Sequence, residues 1–303
     1  MSSGPEGDFA PSCVPSITSS GHRAALLTED GVRIEAAYTP HRPMIPGPAP
    51  HTRTSRDGPA IVLAHGFTGA LERPALRRAA AAFSQHADVI TFSFRGHGGS
   101  GGRSTVGDRE VLDLAAAVRW ARSLGHRRVA TVGFSMGGSV VLRHAALYGR
   151  PAALHGQGAH EERTGAYADT VVSVSAPARW YYRGTAPMRR VHWAVTRPAG
   201  RLVSRLGLRT RIHSEDWDPV PLSPTEAAPL ISPTPLLLVH GDRDPYFPLD
   251  HPRMLMSAAD PSSTELWIEP GFGHAENAAD GELLARIAGW ITRQAAPAGR
   301  SGR

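Results

Sequence analysis

The most restrictive feature of the chain is five residues long. Gly133-Phe134-Ser135-Met136-Gly137 follows a short apolar run, VATV at 129–132, and opens a helical stretch over 136–147. A serine placed between a strand and a helix in so few residues must sit on a sharp turn. Bulk two residues before or after it would collide with neighbouring backbone, which explains the two glycines. The turn lifts the serine Oγ above the end of the strand, and the N-terminus of the next helix favours negative charge developing there. A glycine-rich turn with a chance serine would carry the same five letters; the strand before it and the helix after it argue against that reading.

The rest of the chain alternates in the same way. Strands are expected at Val32–Tyr38, Ala60–Ala64, Val89–Phe94, Val129–Val132, Thr170–Val174, Pro235–Val239 and Thr264–Ile268. Helical spacing runs through Pro74–Gln85, Arg109–Leu124, Met136–Leu147 and Asp280–Arg293. Short apolar runs separated by amphipathic helices imply an α/β chain with a mostly parallel central sheet flanked by helices. Residues 177–233 break this rhythm and read as a helical cap inserted between a first core part, 23–176, and a second, 234–294. A Pro-rich stretch at 39–59 reads as a surface loop, and 1–22 and 295–303 as disordered or flexible tails.

Composition closes several routes. All 33 basic residues are arginine, so a Schiff-base lysine and a phosphate-binding P-loop lysine are excluded. Nine arginines and no acid fall between Pro177 and His213, and without those nine the net +6 becomes −3. The surplus is local, which argues against nucleic-acid binding. The start of the chain lacks the cationic and apolar segments of a secretory signal, no run of about 18 apolar residues occurs, and Cys13 is the single cysteine; a cytoplasmic protein is expected. The histidines show no metal-binding spacing, so neither metal nor cofactor is expected. Gly96-His97-Gly98-Gly99-Ser100-Gly101 satisfies a dinucleotide pattern, but the next strand runs straight into Gly133 without the acid that pattern needs.

A serine hydroxyl is a poor nucleophile until an imidazole takes its proton and a carboxylate fixes that imidazole's tautomer. Most of the 15 histidines are expected at the surface, and position singles out His274, in Gly271-Phe272-Gly273-His274 after the last strand. For the acid, Asp242 and Asp244 compete on the loop after Pro235–Val239. Asp244 lies deeper in the loop and precedes the stiffening Pro245, which favours it, leaving Asp242 as a turn former. His65-Gly66-Phe67 follows the Ala60–Ala64 strand, so the Phe67 and Met136 backbone N–H groups are candidates for an oxyanion hole.

The segments HGF (65–67), FRGHGGS (94–100), GFSMGG (133–138) and GFGH (271–274) resemble the α/β-hydrolase superfamily, and within it the branch of monoacylglycerol-lipase-like esterases and serine-aminopeptidase-like hydrolases. The resemblance covers about Leu27 to Arg293. It implies an α/β-hydrolase fold, a Ser135–Asp244–His274 triad with the acid in a G-x-x-D arrangement, and hydrolysis of an ester, thioester or amide through an acyl-enzyme. A small-molecule ester-type substrate is expected. Other chemistry on the same fold stays open: cofactor-free haloperoxidation, carbon–carbon bond hydrolysis, acyl transfer or aminopeptidase action. A non-catalytic binder need not keep all three residues. The Pro-rich insert and a polar insert at 155–165 depart from the family pattern.

In the cap, Trp180, Tyr181 and Trp193 are candidates for lining an apolar substrate pocket, with ordinary cap packing as the alternative. Arg197, Arg201 and Arg205 recur beside Leu202, Val203 and Leu206, a basic ridge next to an apolar face. The plain reading is a solvated arginine face; the other is weak contact with an anionic lipid surface or an anionic substrate.

Overall fold

The computed structural model describes residues 22–43, 58–149 and 165–295. The two tails before 22 and after 295, most of the Pro-rich stretch, most of the polar insert and Cys13 lie outside the described residues.

Eight strands form one sheet in the order β1-β2-β4-β3-β5-β6-β7-β8. They are β1 His22–Leu27, β2 Arg33–Thr39, β3 Ala60–Ala64, β4 Asp88–Phe92, β5 Val129–Phe134, β6 Thr170–Val174, β7 Leu236–Gly241 and β8 Thr264–Glu269. Only β1 with β2 and β2 with β4 pair antiparallel; the other pairings are parallel. Helices α1 Pro74–Phe83, α2 Glu110–Ser123 and α3 Met136–Leu147 connect the strands of the first half. Residues 177–233 carry α4 Ala186–Thr196, α5 Pro198–Gly207 and the short α6 Pro224–Ala227, and α7 Asp250–Ala258, the short α8 Ala275–Ala278 and α9 Gly281–Ala295 complete the chain. Among the described residues no helix is long and apolar enough to cross a membrane.

The central strands are buried throughout, which is why their sequences are continuous apolar runs rather than alternating ones. Their side chains still alternate in direction. Ala60, Val62 and Ala64 of β3 join the core formed with Leu114, Val118, Val140 and Val141 of α2 and α3. Ile61 and Leu63 join the opposite core, with Leu76 and Phe83 of α1 and Leu284, Ile287 and Trp290 of α9. Two apolar layers thus clamp a sheet whose parallel strands end along one edge.

β1 and α7 go beyond the expected elements. β1 is largely exposed and gains its place by six register pairs with β2, a long-range pairing that its own residues, HRAALL, do not announce. α7 exposes much of its surface and buries only His251, Pro252 and Leu255.

Packing at the β5–α3 turn leaves no room for a side chain at Gly133 or Gly137. A Cβ at Gly133 would land on the Gly137 carbonyl, and one at Gly137 would land on the Ala64 carbonyl of β3. Gly133→Ala is therefore expected to cost about 3 kcal/mol or more of unfolding free energy. Gly281→Ala, at a position with no atom within 4 Å of the added methyl, is expected to be nearly neutral. Urea denaturation of the two variants checks this difference.

Candidate active site

Ser135 directly follows β5 and precedes α3, with φ 53° and ψ −113°. Its N–H donates to the Val174 carbonyl at the end of β6, so the strained residue is held from below. The imidazole of His274 approaches from the loop after β8: His274 Nε2 lies 2.9 Å from Ser135 Oγ. On the other side of the ring, Nδ1 is 2.7 Å from Asp244 Oδ2. A carboxylate can only accept here, so Nδ1 carries the proton and Nε2 is left to accept the Ser135 hydroxyl proton. The Asp244 side chain is fully buried, and its other oxygen accepts from the Tyr246 and Phe247 N–H groups at 2.8 and 3.1 Å. Tyr246 stacks on the His274 ring at 4.2 Å.

Asp242 does something else. Its Oδ1 accepts from the Gly271 N–H at 2.6 Å, and the residue is exposed. It ties the loop after β7 to the loop after β8. Gly241 lets the same two loops meet, since a Cβ there would strike the Phe272 carbonyl. The acid loop and the histidine loop are therefore joined beside the site as well as through the site.

The loop after β3 is equally determined. The Gly66 carbonyl accepts from His65 Nδ1 at 2.7 Å and from the Gly69 N–H at 2.9 Å. The Phe67 N–H belongs to the same planar trans peptide and so points the opposite way. Neither it nor the Met136 N–H donates to any group among the described residues. His65 can serve because its Nε2 accepts the Phe94 N–H at 3.0 Å, which forces the proton onto Nδ1. Complete burial, with His97 close by, pushes its pKa down to about 3, so it stays neutral. The Gly66 N–H donates to Glu276 Oε1 at 2.9 Å. Sequence reasoning named His65 only as part of the His-Gly-Phe segment, with no role of its own, and passed over Glu276. Their signals are a histidine at the end of an apolar strand and an acid two residues beyond His274.

The expectation that most histidines are surface residues is not met among those described. Six of the twelve described histidines are buried: His65, His97, His126, His144, His240 and His251. A neutral ring offers one donor and one acceptor, and His251 Nδ1 accepts the Ala178 N–H while His240 Nε2 donates to the Phe247 carbonyl.

Above the site lies a cavity of about 1180 Å³. Ser135, His274, Phe67 and Met136 line it, together with Trp180, Tyr181 and Trp193. Tyr181 and Trp193 are about half exposed, so they form its rim rather than its depth. Sequence reasoning missed Trp217, which packs on Trp180 at 5.1 Å and on Tyr181 at 5.6 Å, and it missed the lining residues Tyr246 and Phe247. The 96–101 glycines do not form an open phosphate cradle. The Glu35 carboxylate takes the Gly99 N–H at 2.8 Å and would repel a phosphate. Among the described residues no group of three or more His, Cys, Asp or Glu side chains is arranged to hold a metal ion.

This sheet order and these loops define an α/β-hydrolase-fold protein. A family model described as alpha/beta hydrolase fold matches residues 59–157. The esterase Pf2001 of Pyrococcus furiosus superposes with a TM-score of 0.63 at 20% identity, over 95% of this chain and 96% of that one. The α/β hydrolase GrgF from Penicillium sp. sh18 superposes with a TM-score of 0.62 at 18% identity, over 90% and 98%. XC6422 from Xanthomonas campestris, described as an α/β serine hydrolase without a lid, gives 0.55 at 16% identity, over 93% and 96%. No curated protein matches the chain. These likenesses reach the fold and not a branch within it.

If the 2.7 Å contact orders the histidine, the Nδ1 proton should resonate far downfield of the amide protons in a one-dimensional proton spectrum in water. Asp244→Asn is expected to abolish that signal and Asp242→Asn to leave it; the reverse pattern would reassign the acid.

Proposed function

We propose that the protein is a serine hydrolase that cleaves carboxylic esters, or thioesters, of small to medium, fairly apolar molecules. The observation that carries the reading is the unbroken chain from Ser135 Oγ through His274 to the buried Asp244, at 2.9 and 2.7 Å. Ser135 Oγ attacks the acyl carbonyl while His274 Nε2 takes its proton, and the Phe67 and Met136 N–H groups receive the developing oxyanion. The tetrahedral adduct collapses as the leaving alcohol or thiol takes that proton, which gives the acyl-enzyme. Water then attacks the Ser135 ester, giving its proton to His274, and the carboxylic acid leaves as the proton returns to Ser135. Asp244 keeps the ring in one tautomer and stabilises it when charged. Segment 177–233 acts as a cap, and its Trp180, Tyr181 and Trp193 offer apolar surface to the acyl or alcohol part. No metal or cofactor enters any of these steps.

Glu276 and His65 are positioning residues in this scheme, because they hold the peptide whose N–H faces the oxyanion. Glu276→Ala is expected to lower kcat by roughly tenfold or more with KM little changed, since a mis-set donor weakens only the transition state. Glu276→Gln keeps an acceptor for the Gly66 N–H and should recover most of that loss.

A fluorophosphonate probe is expected to label the folded protein at Ser135. Ser135→Ala and His274→Ala should each reduce turnover of p-nitrophenyl esters on the order of 10⁴-fold or more while thermal unfolding is unchanged. Turnover surviving in either variant would overturn the role given to that residue.

A further inference from the structure

Helix α5 is built inside out. Its buried positions are Gly200 and Ser204. Its outward stripe is Leu202, Val203 and Leu206, which are 55%, 55% and 73% exposed. A surface helix of a globular protein turns its apolar stripe inward. Single exposed leucines are ordinary, but three on one face of one helix are not. Helix α4 beside it buries no residue, so the hairpin of α4 and α5 stands proud of the core.

The charge around this stripe has one sign. Arg189 and Arg190 on α4, Arg197 between the helices, Arg205 on α5 and Arg209 just beyond it are all exposed, and no acid occurs from 177 to 213. The side chains of Arg190, Arg205 and Arg209 make no hydrogen bond or ion pair among the described residues. An aliphatic stripe bordered by uncommitted arginine heads matches the boundary of an anionic bilayer, where aliphatic groups enter the acyl layer and guanidinium groups stay among the phosphates. Pairing with a second copy is disfavoured because it would bring the two sets of arginines together. We propose that the α4–α5 hairpin is a docking surface for anionic lipid membranes.

The hairpin also connects this surface to the cavity. Met188, Val191 and Val195 of α4 and Arg201 of α5 line the space above Ser135, so a docked molecule would hold that space one helix away from the lipid.

The experiment is sedimentation of the full chain with vesicles of phosphatidylcholine alone, and with vesicles in which about a third of the lipid is phosphatidylglycerol. The protein is expected to pellet with the anionic vesicles only, and less so at raised salt. The pair Leu202→Ser/Leu206→Ser and the pair Arg205→Gln/Arg209→Gln should each reduce that partitioning roughly tenfold or more. Neither pair touches the cavity, so thermal unfolding and turnover of a soluble short-chain ester should be unchanged. Ser135→Ala should bind vesicles like the parent, so the result is read whether or not the protein is an esterase. Equal binding to both vesicle types, no binding, or binding that survives loss of the two leucines overturns the proposal. So does a dimer in solution that the leucine pair dissolves, which would make the occupant a second copy.

Discussion

Ser135 sits at φ 53° and ψ −113°, a conformation costing on the order of 1–3 kcal/mol that an ordinary residue keeps only when its surroundings allow nothing else. β5 is paired on both sides, with β3 and with β6, so the chain cannot shift sideways before the turn. α3 is buried through most of its length, so the chain cannot shift after it. The helix starts so close to the strand that the carbonyls of Ala64 and Gly137 fill the space where side chains at 137 and 133 would be. Strain at the serine is thus paid for by two apolar cores some distance away. The same constraint brings the β3 loop within reach, because Ser135 Cβ lies 3.3 Å from where a Cβ on Gly66 would be. One crowded crossing sets both the hydroxyl and the peptide that faces it.

This explains what the sequence revealed and what it hid. Buried parallel strands must be apolar on both faces, so AIVLA, VATV and PLLLV were visible as strands, and the pentapeptide at 133–137 fixed where one of them turned. Depth in a loop and a following proline are local properties, and they pointed to Asp244, the carboxylate that contacts His274. Structure confers the rest through contacts that no local pattern encodes. β1 exists by pairing with β2. His65 acts by bonding to Phe94, 29 residues away, and Glu276 by bonding to Gly66, 210 residues away. Trp217 reaches the cavity rim because its indole N–H donates to the Thr105 carbonyl at 2.7 Å. The spacing along α5 showed two faces, but spacing alone cannot say which face turns inward when Gly and Ser compete with Leu and Val.

The histidines show the same division. His65 and His274 are both rings with one donating and one accepting nitrogen. His65 spends both on backbone groups, Phe94 N–H and Gly66 C=O, and burial keeps it uncharged, so it can only hold a loop. His274 spends one nitrogen on a carboxylate and turns the other to a hydroxyl at the floor of an open cavity. A ring that must gain and lose a proton needs a nearby counter-charge and a route to the reacting group. Of these two histidines, only His274 has both.

The core and the 177–233 segment are held to different standards of precision. The segment is stapled at its margins: the Ala178 N–H donates to His251, the Arg211 N–H to the Gly96 carbonyl and the Thr225 N–H to the Ala178 carbonyl. Between those staples, α4 buries nothing and α5 buries only Gly200 and Ser204. In the proposed reaction a displacement of about an ångström at Ser135 or His274 would slow proton transfer on the order of a hundredfold, and both residues lie on loops that leave strands of the central sheet. Admission of a substrate needs no such tolerance. A helical hairpin with little core of its own can keep its inner face for the cavity while its outer face answers to the surroundings. That separation lets the outer face of α5 carry leucine, valine and arginine without disturbing a hydrogen bond at the serine.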